Sequence, residues 1–325
     1  MQRMRYLFPA LAGLLLSGLL SACAGTPQTA QLLQTLPAKF ILPHELTHTP
    51  FYPQEQYQCG PAALATLISQ QGLTVDLDKL TRRVYIPERK GSLQIELVSA
   101  AREYKLIPYV IEAQLTTLLN EVLAGRPVLV LQNLGVSWYP KWHYAVVVGY
   151  NVPERELILR SGTIKRYVMS LRTFEYTWQR SKRWGLILLK PGELPEGGSA
   201  LMFMKSLLGF ESNDGEGKKD KWSILIPAYQ AAVVRWPNAL TLKMGYGNSL
   251  FSAKQYTLAL AEYEKVISVN NVYAPAYNNA AQIYALQGNT DVALNYVQRA
   301  IELGGVHIDE YQSTLNDIHR VIRKN

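Results

Sequence analysis

The sequence FYPQEQYQCGPAALATLISQQG spans residues 51–72 and places a cysteine, Cys59, at the start of an apolar helical run. Gly60 and Pro61 follow it, and this pair of residues is typical of a helix N-terminus. Free backbone N–H groups and the positive end of the helix dipole stabilise a thiolate there and lower the pKa of the thiol. The stretch therefore predicts a nucleophilic cysteine. The alternative is a buried structural thiol, since free cysteines are often buried.

Residues 1–22 have the pattern of a signal peptide, with two arginines ahead of an apolar core from Leu11 to Leu20. This core is too short for a comfortable membrane span. The letters LSAC, which end on Cys23, resemble a bacterial lipobox. The resemblance implies a lipid on Cys23 that anchors the chain to a membrane without spanning it. The alternative is an ordinary cleavage site with an incidental cysteine.

The residue after the lipobox gives an expectation about location. It is Ala24, whereas an Asp at this place in similar lipoproteins tends to retain them at the inner membrane. For a Gram-negative source we therefore expect the protein at the outer membrane, facing the periplasm.

The cysteine count bears on the role of Cys59. The chain has two cysteines, so a lipid on Cys23 leaves Cys59 without an intramolecular disulfide partner. An unpaired thiol is unusual in an exported protein, where disulfides are common. The count therefore favours the nucleophile.

Length and composition predict two globular domains and exclude one class of partner. The chain has 325 residues, of which 48% are hydrophobic and 18% charged, enough apolar content for a sizeable core. Its net charge is +8. The basic residues are scattered and form no stripe interleaved with aromatic residues, so no nucleic-acid partner is predicted.

The hydrophobic pattern divides the chain into a tether over residues 23–50 and an α+β domain over residues 51–190. Helices come first and strands follow, which is typical of a helical layer packed against an antiparallel sheet. The predicted helices cover residues 59–71, 76–84, 93–104 and 114–124, and the predicted strands cover residues 127–131, 143–150, 156–160, 164–168 and 184–189.

Beyond a linker over residues 191–221, which holds a degenerate helix and a polar loop, residues 222–325 are helical and self-similar. At an offset of 34 residues, small and apolar positions recur, for example Ala259 with Ala293. This pattern resembles tetratricopeptide repeats at about 240–273 and 274–307, followed by a capping helix. The resemblance implies a protein partner. An unrelated bundle of helical hairpins is the alternative.

A cysteine nucleophile needs a base within hydrogen-bonding reach, usually a histidine. The chain has five histidines, and within the α+β domain only His143 begins a predicted buried strand. His44 and His48 lie in the tether, and because no third ligand accompanies them we predict no metal site and no cofactor. A histidine that packs in the core is the alternative for His143.

Two segments carry a resemblance to a family. Cys59 with its helix, preceded by Gln54, and the strand HYAVVVGY at residues 143–150 resemble the bacteriocin-processing, double-glycine family of papain-like cysteine peptidases. The resemblance covers about residues 50–190, and the whole chain resembles lipoproteins that fuse such a domain to tetratricopeptide repeats. It implies a papain-like fold, Cys59 as the nucleophile and His143 as the general base.

The resemblance also implies a glutamine that donates to the oxyanion, together with the Cys59 backbone N–H. The glutamine of the family stands six residues before the cysteine, where this chain has Pro53. Gln54 is therefore the candidate, with Gln56 and Gln58 as alternatives.

A second departure concerns the group that orients the histidine, which in the family is an Asp followed by Pro. The matching residues here are LRSG at 159–162, without a carboxylate. Ser161 is the candidate for this role, and Asn133 and Asn151 are nearby alternatives. We also expect the aromatic loop GVSWYPKW, residues 135–142, either to line the cleft or simply to pack.

Together these features predict a membrane-anchored periplasmic cysteine peptidase that cleaves a peptide or protein substrate and binds a partner through its repeats. One alternative is a catalytically weak or inactive peptide-binding scaffold in an envelope or secretion complex. Another is acyl transfer to an amine, which the same residues support.

Overall fold

The computed structural model of the chain describes residues 25–54, 58–211 and 221–324. The predicted signal peptide, Cys23 and Gln56 lie outside these residues. These described residues form two compact units, one within residues 25–100 and 110–187 and the other within residues 101–109 and 188–324. No helix within the described ranges is both long and apolar enough to cross a membrane.

The N-terminal part of the chain contains six α-helices among its described residues, and the four predicted ones are present. The two that the pattern did not predict are the first and the last. The helices are α1 (Pro27–Thr35), α2 (Cys59–Gln70), α3 (Leu77–Val84), α4 (Gln94–Glu103), α5 (Leu115–Leu123) and α6 (Leu171–Gln179).

The strands form one sheet in the order β2-β7-β3-β4-β5-β6, and the short β1 pairs with β4. All five predicted strands are present, and the α+β class is confirmed. The strands are β1 (His44–Glu45), β2 (Ile107–Val110), β3 (Val128–Asn133), β4 (Trp142–Asn151), β5 (Glu156–Ser161), β6 (Ile164–Ser170) and β7 (Gly185–Leu189).

The register of the sheet places the residues around His143. His143 is directly opposite Gln132 on the antiparallel strand β3, so the two side chains share one face. Ser161 ends β5 and pairs with Ile164 of β6. Between them, Gly162 has a φ of 59°, which favours glycine over residues with a Cβ and turns the chain tightly.

The segment that was predicted to be a tether is folded in the structure. Helix α1 buries Leu32, and Phe40 is fully buried after it. The N–H groups of Gln28 and Thr29, at the start of α1, donate to the carboxylate of Glu175 over 3.1 and 2.7 Å. A fully buried carboxylate on α6 thus caps α1. This pairing between distant residues is invisible in the local composition.

The part of the chain after β7 is helical, and its helix pairs follow the predicted repeats. Helices α9 and α10 form the first repeat, α11 and α12 form the second, and the last helix is the predicted cap. Positions related by the offset are buried, including Ala259 and Ala293. The helices are α7 (Ala200–Glu211), α8 (Lys221–Arg235), α9 (Leu240–Ser252), α10 (Tyr256–Val269), α11 (Ala274–Leu286), α12 (Thr290–Leu303) and α13 (Ile308–Lys324).

Candidate active site

Cys59 is the first residue of α2, as the sequence predicts. Position 60 requires a glycine, because a Cβ there would lie only 2.7 Å from the Cβ of Ser92. All residues from Gly60 to Ile68 are buried, which fixes the helix and its first residue. The backbone N–H groups of Cys59, Gly60 and Tyr144 lie against the thiol and favour its charged form.

Burial has the larger effect on this thiol. It raises the pKa of Cys59 above its ordinary value, and the three backbone donors only partly offset the rise. The predicted direction was therefore wrong for the thiol as it stands in this fold. The helix N-terminus does supply donors, but the sequence did not show how far the surrounding elements enclose the sulfur. This direction favours the thiol form of Cys59 over the thiolate.

His143 lies near the start of β4 and is partly buried. Its Nε2 is 2.9 Å from the hydroxyl oxygen of Ser161. Because Ser161 engages Nε2, Nδ1 is the ring nitrogen left for proton transfer. Burial lowers the pKa of His143 below its ordinary value, since a charged imidazolium loses hydration there. The imidazole is therefore neutral at neutral pH.

The strand that carries His143 also contacts Cys59, because the N–H that lies against the thiol belongs to the next residue of that strand. Tyr144, whose N–H lies against the thiol, directly follows His143. Among the described residues no hydrogen bond joins the thiol and the imidazole. Burial raises the pKa of the Tyr144 phenol, and the nearby Cys59 sulfur adds a smaller effect. The phenol hydroxyl donates to the Ser92 carbonyl over 3.2 Å.

The glutamine candidates occupy different places. The backbone N–H of Gln54 donates to the carbonyl of Gly162 over 3.2 Å, which ties this residue to the turn that follows Ser161. The carbonyl of Gln58 accepts the N–H of Ala62 as α2 begins. Gln54 is thus the candidate that lies beside the His143–Ser161 pair.

The two asparagine alternatives for orienting His143 have other roles. The side-chain oxygen of Asn133 accepts the N–H groups of Gly135 and Lys141, both over 2.9 Å, so it holds the ends of the aromatic loop together. The side-chain oxygen of Asn151 accepts the N–H of Glu154 over 3.4 Å. Ser161 is the group that the structure places on the imidazole.

A cavity of about 280 Å³ opens beside His143. Its walls are neutral, and it is lined by Gln132, Leu134, His143, Ser161, Gly162, Thr163, Ile164, Tyr167 and Met169. Among these residues, only His143 and Ser161 were candidates from the sequence. Gln132 had a usable signal, because it is a polar residue near the end of an apolar strand, and it donates to Thr177 over 2.6 Å.

The aromatic loop extends the apolar surface near this cavity. Trp138 is 86% exposed, and Tyr139 and Trp142 are also largely exposed. Leu134, just before the loop, lines the cavity. The loop is therefore not packed into a core, and its side chains are available to a bound chain.

The described residues contain no group of three or more His, Cys, Asp or Glu side chains that could hold a metal ion. The polar groups around Cys59 and His143 include a thiol, an imidazole, a hydroxyl and backbone amides. These are groups suited to nucleophilic attack and proton transfer.

Residues 46–185 match the model of the Peptidase C39-like family, and residues 274–303 match a tetratricopeptide repeat model. The chain therefore carries a C39-like domain fused to tetratricopeptide repeats, and the repeat match covers the second predicted repeat. No curated protein matches the sequence.

Three solved structures are among those similar to parts of this chain. A protein described as a C39-like peptidase from Bacillus anthracis is 17% identical over 46% of this chain and 98% of its own, with a TM-score of 0.39. The peptidase domain of the ABC transporter ComA from Streptococcus is 21% identical over 44% and 99%, with a TM-score of 0.36. The first repeat domain of human RPAP3 is 18% identical over 38% and 93%, with a TM-score of 0.34.

Proposed function

We propose that the protein is a membrane-anchored cysteine peptidase in which Cys59 attacks a peptide carbonyl and His143 acts as the base. The observation that carries the proposal is one local arrangement. The imidazole of His143 is held at Nε2 by Ser161, and the N–H of the next residue, Tyr144, lies against the Cys59 thiol.

The reaction starts from a neutral thiol and a neutral imidazole. Nδ1 of His143 takes the proton from Cys59 as the sulfur bonds to the substrate carbonyl carbon, and the carbonyl oxygen becomes an oxyanion. Backbone donors at the start of α2 and the side chain of Gln54 are the candidates to stabilise it. The C–N bond then breaks, the amine leaves with the proton from His143, and water hydrolyses the thioester.

Ser161 holds the imidazole in place but brings no negative charge. In enzymes with a comparable triad, a carboxylate stabilises the imidazolium that forms during the reaction, and its loss costs orders of magnitude in rate. We therefore expect slow turnover with the oriented base retained.

An activity-based probe tests the proposal. A peptidyl acyloxymethyl ketone is incubated with the full chain, and the modified residue is mapped by mass spectrometry. We expect modification at Cys59 that disappears in His143→Ala and persists in His48→Ala, a matched control at an exposed histidine. Equal labelling of the His143→Ala variant or of the denatured chain would contradict the proposal.

The products decide between reaction types. After a trial peptide is added, hydrolysis gives two fragments whose summed mass exceeds that of the peptide by one water, whereas transfer to an amine gives an adduct. Unchanged products in Cys59→Ala would rule out Cys59 as the nucleophile.

A second candidate is a binding module that holds a peptide without cutting it. It is favoured by the direction of two pKa values, since burial raises that of Cys59 and lowers that of His143 and so disfavours a preformed ion pair. Tight binding of the trial peptide with no fragment and no adduct would support this candidate.

The anchor and the location belong to the same proposal. A lipid on Cys23 would hold the protein at the outer membrane, facing the periplasm. Labelling with a radioactive fatty acid should mark the wild-type protein and not Cys23→Ser. Separation of inner and outer membranes then tests the location, and recovery in the inner membrane would contradict it.

A further inference from the structure

The second unit contains a groove that has several polar side chains in its lining. It has a volume of about 570 Å³, within the range of ligand pockets. Helices α9, α11 and α13 line it. The lining residues are Phe251, Asn278, Asn279, Gln282, Ala285, Leu286, Glu310, Ser313, Thr314, Asp317 and Ile318.

The charge of this lining is one-sided. It includes the carboxylates of Glu310 and Asp317 and no lysine or arginine, although the chain as a whole is basic. Each carboxylate has a partner one turn away, the imidazole of His307 at 2.9 Å from Glu310 and the guanidinium of Arg320 at 2.9 Å from Asp317. Both pairs are exposed, so they contribute little stability and can exchange for a ligand cation.

A chain of amide groups leads to a second feature of the groove. Tyr263 donates to the side-chain oxygen of Asn248, which also accepts from Asn279 over 2.9 Å. Asn278 in turn donates to Asn279 over 3.3 Å. Because each side-chain amide donates to the residue nearer α9, the side-chain oxygen of Asn278 is left at the far end of this hydrogen-bonded series.

That terminal oxygen is an acceptor that lacks a donor. Asn278 is only 4% exposed, and its side-chain oxygen is buried without a hydrogen-bond partner among the described residues. A buried acceptor without a partner is costly, and the hydrogen-bonded chain before it increases its polarity. The group that completes it has to be a donor, such as a backbone N–H, an ammonium or a guanidinium.

We propose that this groove binds an extended segment of a partner protein that is rich in lysine or arginine and carries apolar residues between them. The carboxylates attract the cations, the Asn278 oxygen accepts a donor, and Phe251 and Leu286 contact the apolar residues. This inference rests on the proposed role of the repeats in protein binding and adds the chemistry of the partner.

Fluorescence anisotropy with the full chain tests the inference. The probe is a short labelled peptide that alternates lysine with leucine, compared with counterparts that carry glutamate or glutamine in place of lysine. We expect the lysine peptide to bind more tightly than both counterparts, and its affinity to fall as salt screens the carboxylates.

Variants place the binding in the groove. Glu310→Gln combined with Asp317→Asn should weaken binding of the lysine peptide about fivefold. Glu302→Gln is the matched control, because Glu302 forms a similar exposed pair with Arg299 but does not line the groove. Asn278→Ala should also weaken binding, with folding verified by circular dichroism. If that variant unfolds, the charge variants decide alone.

The outcomes separate this inference from the proposed function. Tighter binding of the glutamate or glutamine peptide overturns the assigned chemistry and leaves protein binding by the repeats in place. The groove is not the binding site if its variants have the same effect as Glu302→Gln. The absence of binding by any of the peptides also overturns the proposal. The labelling test at Cys59 is independent of all these results.

Discussion

Two carboxylates of the first unit and two of the second differ in their surroundings. In the first unit, Glu121 and Glu175 are fully buried, and the group that holds His143 is a neutral hydroxyl. In the second unit, Glu310 and Asp317 are exposed at a groove. A buried carboxylate serves structure, because it satisfies backbone donors and cations. An exposed one is available to a ligand. The acidic content of a region therefore does not by itself locate a ligand-binding site.

The largest effect is expected from removing a buried carboxylate in the first unit. Glu175→Ala leaves the first N–H groups of α1 without their acceptor, and we expect a loss of about 2–4 kcal/mol in the free energy of unfolding. Urea denaturation measures the loss, and hydrogen exchange over residues 27–35 locates it. Glu154→Ala, at an exposed position, should change stability by less than about 0.5 kcal/mol. A similar loss of stability in both variants would contradict a structural role that is specific to the buried carboxylate.

Placing a carboxylate at the neutral site should have the next largest effect. Ser161→Asp is expected to raise kcat/KM on a cleaved trial peptide by at least about tenfold, since a negative charge stabilises the imidazolium. Ser161→Asn is the control of similar size without charge, and it should give no such rise. A rate unchanged by the carboxylate would mean that His143 is not the proton acceptor.

Removing the hydroxyl should have a smaller effect of the opposite sign. Ser161→Ala loses one neutral hydrogen bond to the imidazole, which corresponds to about 1 kcal/mol or roughly a fivefold fall in kcat/KM. Thr163→Ala, in the wall of the same cavity, should leave the rate closer to wild type. Steady-state kinetics on the same peptide compare the two variants.

The smallest expected effect is a shift in the pH dependence of peptidase activity. Proton transfer requires neutral His143, whose pKa burial lowers below 6.5. Activity should therefore persist as the pH falls to about 6.5 and decline only below it. In Ser161→Asp the carboxylate raises the pKa of His143, and the acid limb should move to higher pH. A limb above 6.5 in the wild type would contradict the assignment of His143.

Much of the fold was predictable because its signals are local. The apolar run after Cys59, the strand HYAVVVGY and the small residues shared by the repeats each follow from a periodic pattern. Helix α1 was missed because its cap, Glu175, comes from a helix far along the chain. The direction of the Cys59 pKa was wrong for the same kind of reason, since burial depends on neighbours that the local sequence does not show.

The local sequence indicated most of the helices and strands, the repeat region, and Cys59 and His143 as candidates, and the family resemblance added Ser161. Only the tertiary structure decided that Ser161 holds the imidazole while Asn133 and Asn151 serve nearby turns. It also decided that neighbouring elements cover part of Cys59, which stays partly exposed, and that two carboxylates face one groove. The physical reason is that periodicity records which face of an element is apolar, whereas hydrogen bonds and burial depend on strand register and on contacts between distant elements.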